Sequence, residues 1–179
     1  MDNELRILRQ ESINAAKDAI RESVGKDNLI MQAISSIDDI KNVANKLCGR
    51  LRHWYELYLP EAARAFQDNE RFVKTILIKD KVTLKSELGI NNTMGAEIAP
   101  EDVDAMMQVA NEISSLYSLI TIQEKYIEDA MKRLCPNIEK IAGPLIGAKL
   151  IEHAGGLRGL INMPSSTIQL LGAEKALFR

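Results

Sequence analysis

The sequence predicts an all-α protein: a long coiled-coil helical hairpin followed by a small module of short helices. Hydrophobic residues make up 46% of the chain and aromatic residues only 4%, a balance suited to aliphatic helix packing rather than to an aromatic-rich sandwich. Two long stretches repeat apolar residues in alternating steps of three and four, the spacing of a coiled-coil seam. After Pro136 the texture changes to short apolar runs broken by glycine and proline. The expected division is therefore a helical, coiled-coil domain over 1–135 and a smaller domain over 136–179.

A first helix is expected over about residues 3–24, charged on much of its surface, with Gly25 as a left-handed stop and Asp27 as the cap of the next helix. The second helix, about 28–59, carries its seam on Ile30, Ala33, Ile37, Ile40, Ala44, Leu47, Leu51, Trp54 and Tyr58, and Pro60 stops it. One amphipathic stretch is expected between Glu61 and Asp80, and a short helix flanked by turns between Lys81 and Ala99, where Gly89, Asn91, Asn92 and Gly95 cluster. Pro100 suits a first helical position, and Glu101, Asp102 and Asp104 place negative charge at the positive end of the helix dipole. The helix that starts there has its seam on Val103, Met106, Ala110, Ile113, Tyr117, Ile120, Glu124, Ile127, Met131 and Leu134, a length of about 50 Å at ~1.5 Å per residue. Beyond it, Gly143-Pro144, Gly155-Gly156, Met163-Pro164 and Gly172 reverse the chain every ten residues or so. Each reversal begins a helix whose first N–H groups lack partners.

The net charge of −2 argues against general attraction to nucleic acid, but it is unevenly spread. Residues 1–135 hold 18 Lys and Arg against 22 Asp and Glu, and residues 136–179 hold 5 against 3. Phosphate contact belongs to the second part if anywhere, and an ordinary solvated surface fits the same numbers. Cys48 and Cys135 stand in no metal-ligand spacing, and no cofactor or metal is expected. The chain shows neither a secretory leader nor an apolar run approaching the ~18 residues that span a bilayer, so a cytoplasmic location is expected.

No catalytic cluster emerges, and the chain reads as a non-enzyme. His53, in Arg52-His53-Trp54-Tyr55, has no nameable partner for acid–base work, and His153 suits a helix C-terminus. Gly143-Pro144-Leu145-Ile146-Gly147 lacks the lysine and the spacing of a Walker loop. Trp54, Tyr55 and Tyr58 could form a stacking platform for bases, but two of them fall on the seam, which favours a core role. The most informative stretch is Pro164–Arg179. Gly172 and Ala173 are small enough to admit a phosphate or a partner's backbone to the following helix start, while Lys175 and Arg179, one turn apart, share a face. A glycine stop followed by a surface helix fits equally.

Four stretches decide between these readings: Gly143–Ile151, Ala154-Gly155-Gly156-Leu157, Met163–Gln169 and Gly172-Ala173-Glu174-Lys175-Ala176-Leu177-Phe178-Arg179 resemble the Nop domain. Upstream, Arg21–Asp27, Leu51-Arg52-His53-Trp54-Tyr55 and Met94-Gly95-Ala96-Glu97 resemble the coiled-coil region of archaeal Nop proteins of box C/D ribonucleoproteins. The resemblance implies an RNA-binding scaffold for guide-directed ribose 2′-O-methylation. Its implied partners are a kink-turn guide RNA, the small ribosomal-type protein bound to that RNA, the methyltransferase fibrillarin, and a second copy through the coiled coil. Carried onto matching positions, it implies an RNA and protein face at Gln169, Gly172, Ala173, Glu174, Lys175 and Arg179; Lys149 and Arg158 join on charge alone. Two departures accompany it. The family's N-terminal fibrillarin-docking domain is not visible ahead of Met1, and the chain stops before the Pro-Lys-His-Gly stretch that family members use at the RNA; a partial Nop domain with weakened RNA binding is expected, fibrillarin binding is in doubt, and self-association should survive. A spliceosomal relative and a coiled-coil structural protein without RNA binding are the alternatives.

Overall fold

The computed structural model describes residues 2–171, and among them all regular structure is α-helical. The helices are α1 (Asp2–Ser23), α2 (Lys26–Tyr55), α3 (Pro60–Ala65), α4 (Asn69–Ile78), α5 (Lys81–Glu87), α6 (Pro100–Leu134), α7 (Pro136–Ala142), α8 (Pro144–His153), α9 (Leu157–Asn162) and α10 (Ser165–Leu170). Packing divides them into two compact units, one combining the chain up to Ser35 with that from Ile127 onward, the other Ser36–Tyr126.

In the Ser36–Tyr126 unit, α2 and α6 supply Cys48, Leu51, Tyr55, Met106, Ala110 and Ile113 to a core that α3, α4 and α5 close with Ala62, Phe72, Val73, Ile76 and Leu84. Tyr55 meets Phe72 and Tyr58 edge to face, with ring centres 5.6 Å apart in each pair, the geometry preferred by ring quadrupoles. The α6 seam matches its expectation closely: Met106, Ala110, Ile113 and Ile120 are buried, and Glu124, its one charged member, meets Lys41 at 2.9 Å. The α2 seam holds at Ile30, Ala33, Ile37, Ala44 and Leu51 and differs at two positions of its second half. Cys48 and Tyr55 are buried where Leu47 and Trp54 were expected; Leu47 is 38% exposed. From Ala44 to Leu51 and on, steps of three and four pass equally through Leu47 and Trp54 or through Cys48 and Tyr55, and the second path faces the core that α3 and α4 close.

Helix ends account for the other differences. The second helix ends at Tyr55 rather than near Leu59, because the residue before Pro60 is pushed out of the helical region, and Pro60 starts α3 instead of merely stopping α2. The single stretch expected between Glu61 and Asp80 is two helices, parted at Phe66–Asp68, where Asp68 caps α4 by accepting from Arg71 N–H at 2.6 Å. Arg52 holds that break together: its guanidinium donates to Ala63 O (2.6 Å), Asn69 Oδ1 (3.0 Å) and Asp68 O (3.3 Å), and lies 4.3 Å from the centre of the Phe72 ring. Gly25 is not in the left-handed region. It is small for another reason: a Cβ there would stand 2.3 Å from Asp27 Oδ1.

The turn between α5 and α6 is fastened to the α2–α3 connection and the first turn of α3. Glu61 accepts from Met94 N–H (3.0 Å) and Thr93 Oγ1–H (2.8 Å), Ala96 N–H donates to Leu57 O (2.8 Å), and Lys81 lies over the Tyr58 ring while donating to Ala96 O (3.1 Å). Gly95 passes so close that a Cβ would stand 2.1 Å from Tyr58 O. Met94-Gly95-Ala96-Glu97, singled out by resemblance, is thus a structural tie.

In the other unit the buried residues are Ile30, Ala33 and Ile34 of α2, Ile127 and Met131 of α6 with Cys135 after it, and Ala148, Ile151 and Leu160 of α8 and α9. The described side chains of α1 are all exposed, with Leu5, Leu8 and Ile20 each more than half open, consistent with its charged composition. The chain reverses at Gly143-Pro144, Gly155-Gly156 and Met163-Pro164, as its glycines and prolines predict.

Two outcomes are expected from the Ser36–Tyr126 unit. The hydrogen bonds from Met94 and Thr93 lower the Glu61 pKa, so Glu61 stabilises the fold above its unfolded value near 4.3, and that contribution is lost as pH falls through the folded value. Amide exchange at Met94 should accelerate in acid, and Glu61→Gln should remove most of that pH dependence. Tyr117 Oη is buried without a partner, and burial pushes its pKa up to about 12. Tyr117→Phe should therefore raise unfolding stability by about 1 kcal/mol in denaturant titration, whereas a loss would reveal a hydrogen bond at that hydroxyl.

Candidate nucleic-acid interface

The module that follows α6 is built from end signals. Pro136 and Pro144 occupy first-turn positions of α7 and α8, and Gly143, with φ +81°, turns the chain between them. α8 lies close to the end of α6, since a Cβ on Gly147 would stand 2.8 Å from Met131 Cε and 2.9 Å from Ile138 Cγ2. At its C-terminus Gly156 N–H donates to Ile151 O (2.9 Å) and Gly155 N–H to Glu152 O (3.0 Å), while Gly155 has φ +73°. This is a Schellman closure, which satisfies two of the carbonyls that a helix end leaves open.

The start of α9 has no local side-chain cap. Its first amide, Leu157 N–H, donates instead to Asp27 Oδ2 at 3.0 Å, across 130 residues of sequence. Asp27 had been expected to cap its own helix, but its carboxylate serves α9. It also lies near Cys135, whose thiol is raised by burial and, after that, by the Asp27 charge. Two turns along α2, Ser35 Oγ–H donates to Glu152 Oε1 at 2.5 Å. Sequence reasoning did not find Ser35 or Glu152 as partners; their separation leaves no local signal.

Of the expected interface residues, Lys149 is half-buried on α8, Arg158 is exposed in the first turn of α9, and Gln169 is exposed on α10. Gly172, Ala173, Glu174, Lys175 and Arg179 lie outside the described residues. α10 starts after Pro164 without a side-chain cap. The aromatic trio is not an open platform, because Tyr55 is buried and Trp54 packs against the core. His53 is exposed and stands 3.8 Å from Glu56. Among the described residues no group of three or more His, Cys, Asp or Glu could hold a metal, and no helix is long and apolar enough to cross a membrane.

Against known proteins, a family model described as "Nop: snoRNA binding domain, fibrillarin" matches residues 36–179. The chain is 37% identical over 171 residues to nucleolar protein 58 of Schizosaccharomyces pombe, covering 86% of this chain and 33% of that protein. It is 40% identical over 169 residues to an uncharacterised NOP5 family protein of Methanocaldococcus jannaschii, covering 86% of this chain and 41% of that one. A nucleolar protein 58 of Lodderomyces elongisporus is 30% identical over 198 residues, 96% of this chain and 38% of that protein. The chain thus spans between a third and about two fifths of the length of these curated relatives.

Proposed function

Because the chain belongs to the Nop family, we propose that it is an RNA-binding scaffold of a box C/D guide ribonucleoprotein directing ribose 2′-O-methylation. The observation that carries this reading is the family match over residues 36–179, which runs through α7–α10 and on through Gly172–Arg179. Relatives named nucleolar protein 58 and NOP5 favour the box C/D branch over a spliceosomal one. In this reading the module from Pro136 onward faces a kink-turn RNA together with its bound ribosomal-type protein, using Lys149, Arg158, Gln169, Gly172, Ala173, Glu174, Lys175 and Arg179. Methyl transfer belongs to fibrillarin, and this chain contributes placement. The net charge of −2 disfavours bare RNA, so shape and the partner protein share in recognition.

Self-association is the second part of the proposal, and the structure moves its address. Within the Ser36–Tyr126 unit most seam residues, among them Ile37, Ala44, Leu51, Met106, Ala110, Ile113 and Ile120, are already buried, so a second copy would need another surface. Exposed apolar residues run along both of its long helices: Val43 (49% exposed) and Leu47 on α2, and Leu119, Ile122 (62% exposed) and Tyr126 on α6. Residues spaced by three, four and seven lie on one helix face, the pattern that a helical partner covers.

Two experiments test these readings. At ~1 kcal/mol per phosphate contact, Lys175→Ala with Arg179→Ala should weaken binding to the kink-turn RNA–protein complex about thirtyfold and flatten its salt dependence. Gel shifts at two salt concentrations decide it, and unchanged affinity and slope would move the RNA face elsewhere. In sedimentation at high micromolar concentration the parent chain should be a dimer and the Ile122→Lys, Tyr126→Lys variant a monomer; equal masses for the two would remove this surface from the interface.

A further inference from the structure

The corner between α8 and α9 is held by one edge of α2. Asp27, Met31 and Ser35 recur every four residues and so lie along one side of that helix. Asp27 Oδ2 takes the Leu157 amide at 3.0 Å, Ser35 Oγ–H reaches Glu152, and Met31 Sδ lies 3.9 Å from where a Gly156 Cβ would stand. The Asp27 carboxylate sits between two glycines: a Cβ on Gly25 would meet Oδ1 at 2.3 Å, and one on Gly156 would meet Oδ2 at 3.2 Å. The stretches Val24–Asp27 and Ala154–Leu157 are far apart in sequence, and the fold joins them at this carboxylate.

The residue after Leu157 is Arg158, exposed in the first turn of α9. A six-residue helix has too few ladder bonds to fix its own direction, and here one of the few is Leu160 N–H to Gly156 O at 3.1 Å. The backbone that carries Arg158 therefore takes its orientation from what holds Leu157 on one side and the α8 closure on the other. A Cβ on Gly159 would stand 2.0 Å from Ala154 O, so the corner is also too tightly folded to re-aim without breaking.

We propose that Asp27 is a positioning residue for Arg158, holding the α9 start so that the guanidinium meets an RNA phosphate; this rests on the RNA-facing reading of the module. A loose arginine would have to be ordered on binding, at a cost in rotamer and backbone freedom that a fixed helix start has already met.

A double-mutant cycle on the whole chain tests this, using a kink-turn RNA with its small protein bound as the probe. Asp27→Ala should weaken binding on the order of fivefold alone and add almost nothing in the Arg158→Ala background, since coupled residues are non-additive. Asp27→Asn keeps an acceptor oxygen and should restore both affinity and slow amide exchange at Leu157. Additive losses from Asp27→Ala and Arg158→Ala would overturn the proposal, as would unchanged affinity in Asp27→Ala once Leu157 protection is lost. Failure of the parent chain to bind would overturn the RNA reading and this inference with it, whereas parental binding with an additive cycle overturns this inference alone.

Discussion

The structure depends on how a chain of short helices satisfies its helix ends. Every α-helix leaves four N–H groups and four carbonyls without intrahelical partners, and among the described residues seven helices have ten residues or fewer, so end groups are a large share of their backbone. Local caps meet part of the need: Asp68 and Asp80 cap α4 and α5 in the ordinary way. Elsewhere the partner comes from a distant element. Arg52 of α2 accepts no hydrogen bond and can only donate, and it gathers the carbonyls of Ala63 and Asp68 where α3 gives way to α4. Asp27, which can only accept while ionised, takes the first amide of α9. One cation for stray carbonyls and one anion for a stray amide tie α2 to the short helices within each unit.

These long-range ties also explain where small residues stand. Gly95 is needed because the turn it occupies runs against the Tyr58 carbonyl; Gly25 leaves room for the Asp27 carboxylate, and Gly156, on the other side of that carboxylate, stands at φ +121°. None of these roles is a turn in the usual sense, and at Gly95 and Gly25 the backbone φ would suit other residues. Steric room for a neighbour's polar group, not conformational freedom, keeps the side chain absent at those two positions.

The all-α class, the two long helices and the breaks at Gly143, Gly155 and Pro164 were legible in the sequence because periodicity and end signals are local. The α6 seam was legible for its whole length. In the second half of the α2 seam Leu51 was legible, but Cys48 and Tyr55 were not, because steps of three and four run equally through Leu47 and Trp54 and only the packing of α3 and α4 decides between the two paths. Arg52 stood out only as part of a basic and aromatic run, since nothing near it in sequence names the carbonyls it serves. For the interface, Arg158 and Gln169 are exposed as a binding role requires, and Lys149 is half-buried. The link from Asp27 to Leu157 spans 130 positions, and no single-sequence pattern carries that information.

Charge sets the terms on which the proposed RNA-facing module could work. Residues 136–179 hold five Lys and Arg against three Asp and Glu, a small excess beside the several phosphate contacts through which proteins grip nucleic acid by charge alone. With few cations available, each must meet its phosphate with little reorganisation, because freedom lost on binding subtracts from a modest electrostatic gain. A short helix cannot supply that rigidity from its own ladder. Anchoring its first amide to a carboxylate on a thirty-residue helix does supply it. Sparse charge and borrowed helix caps are therefore two sides of one constraint: a module with little net attraction for RNA would gain selectivity through the placement of the few cations it has.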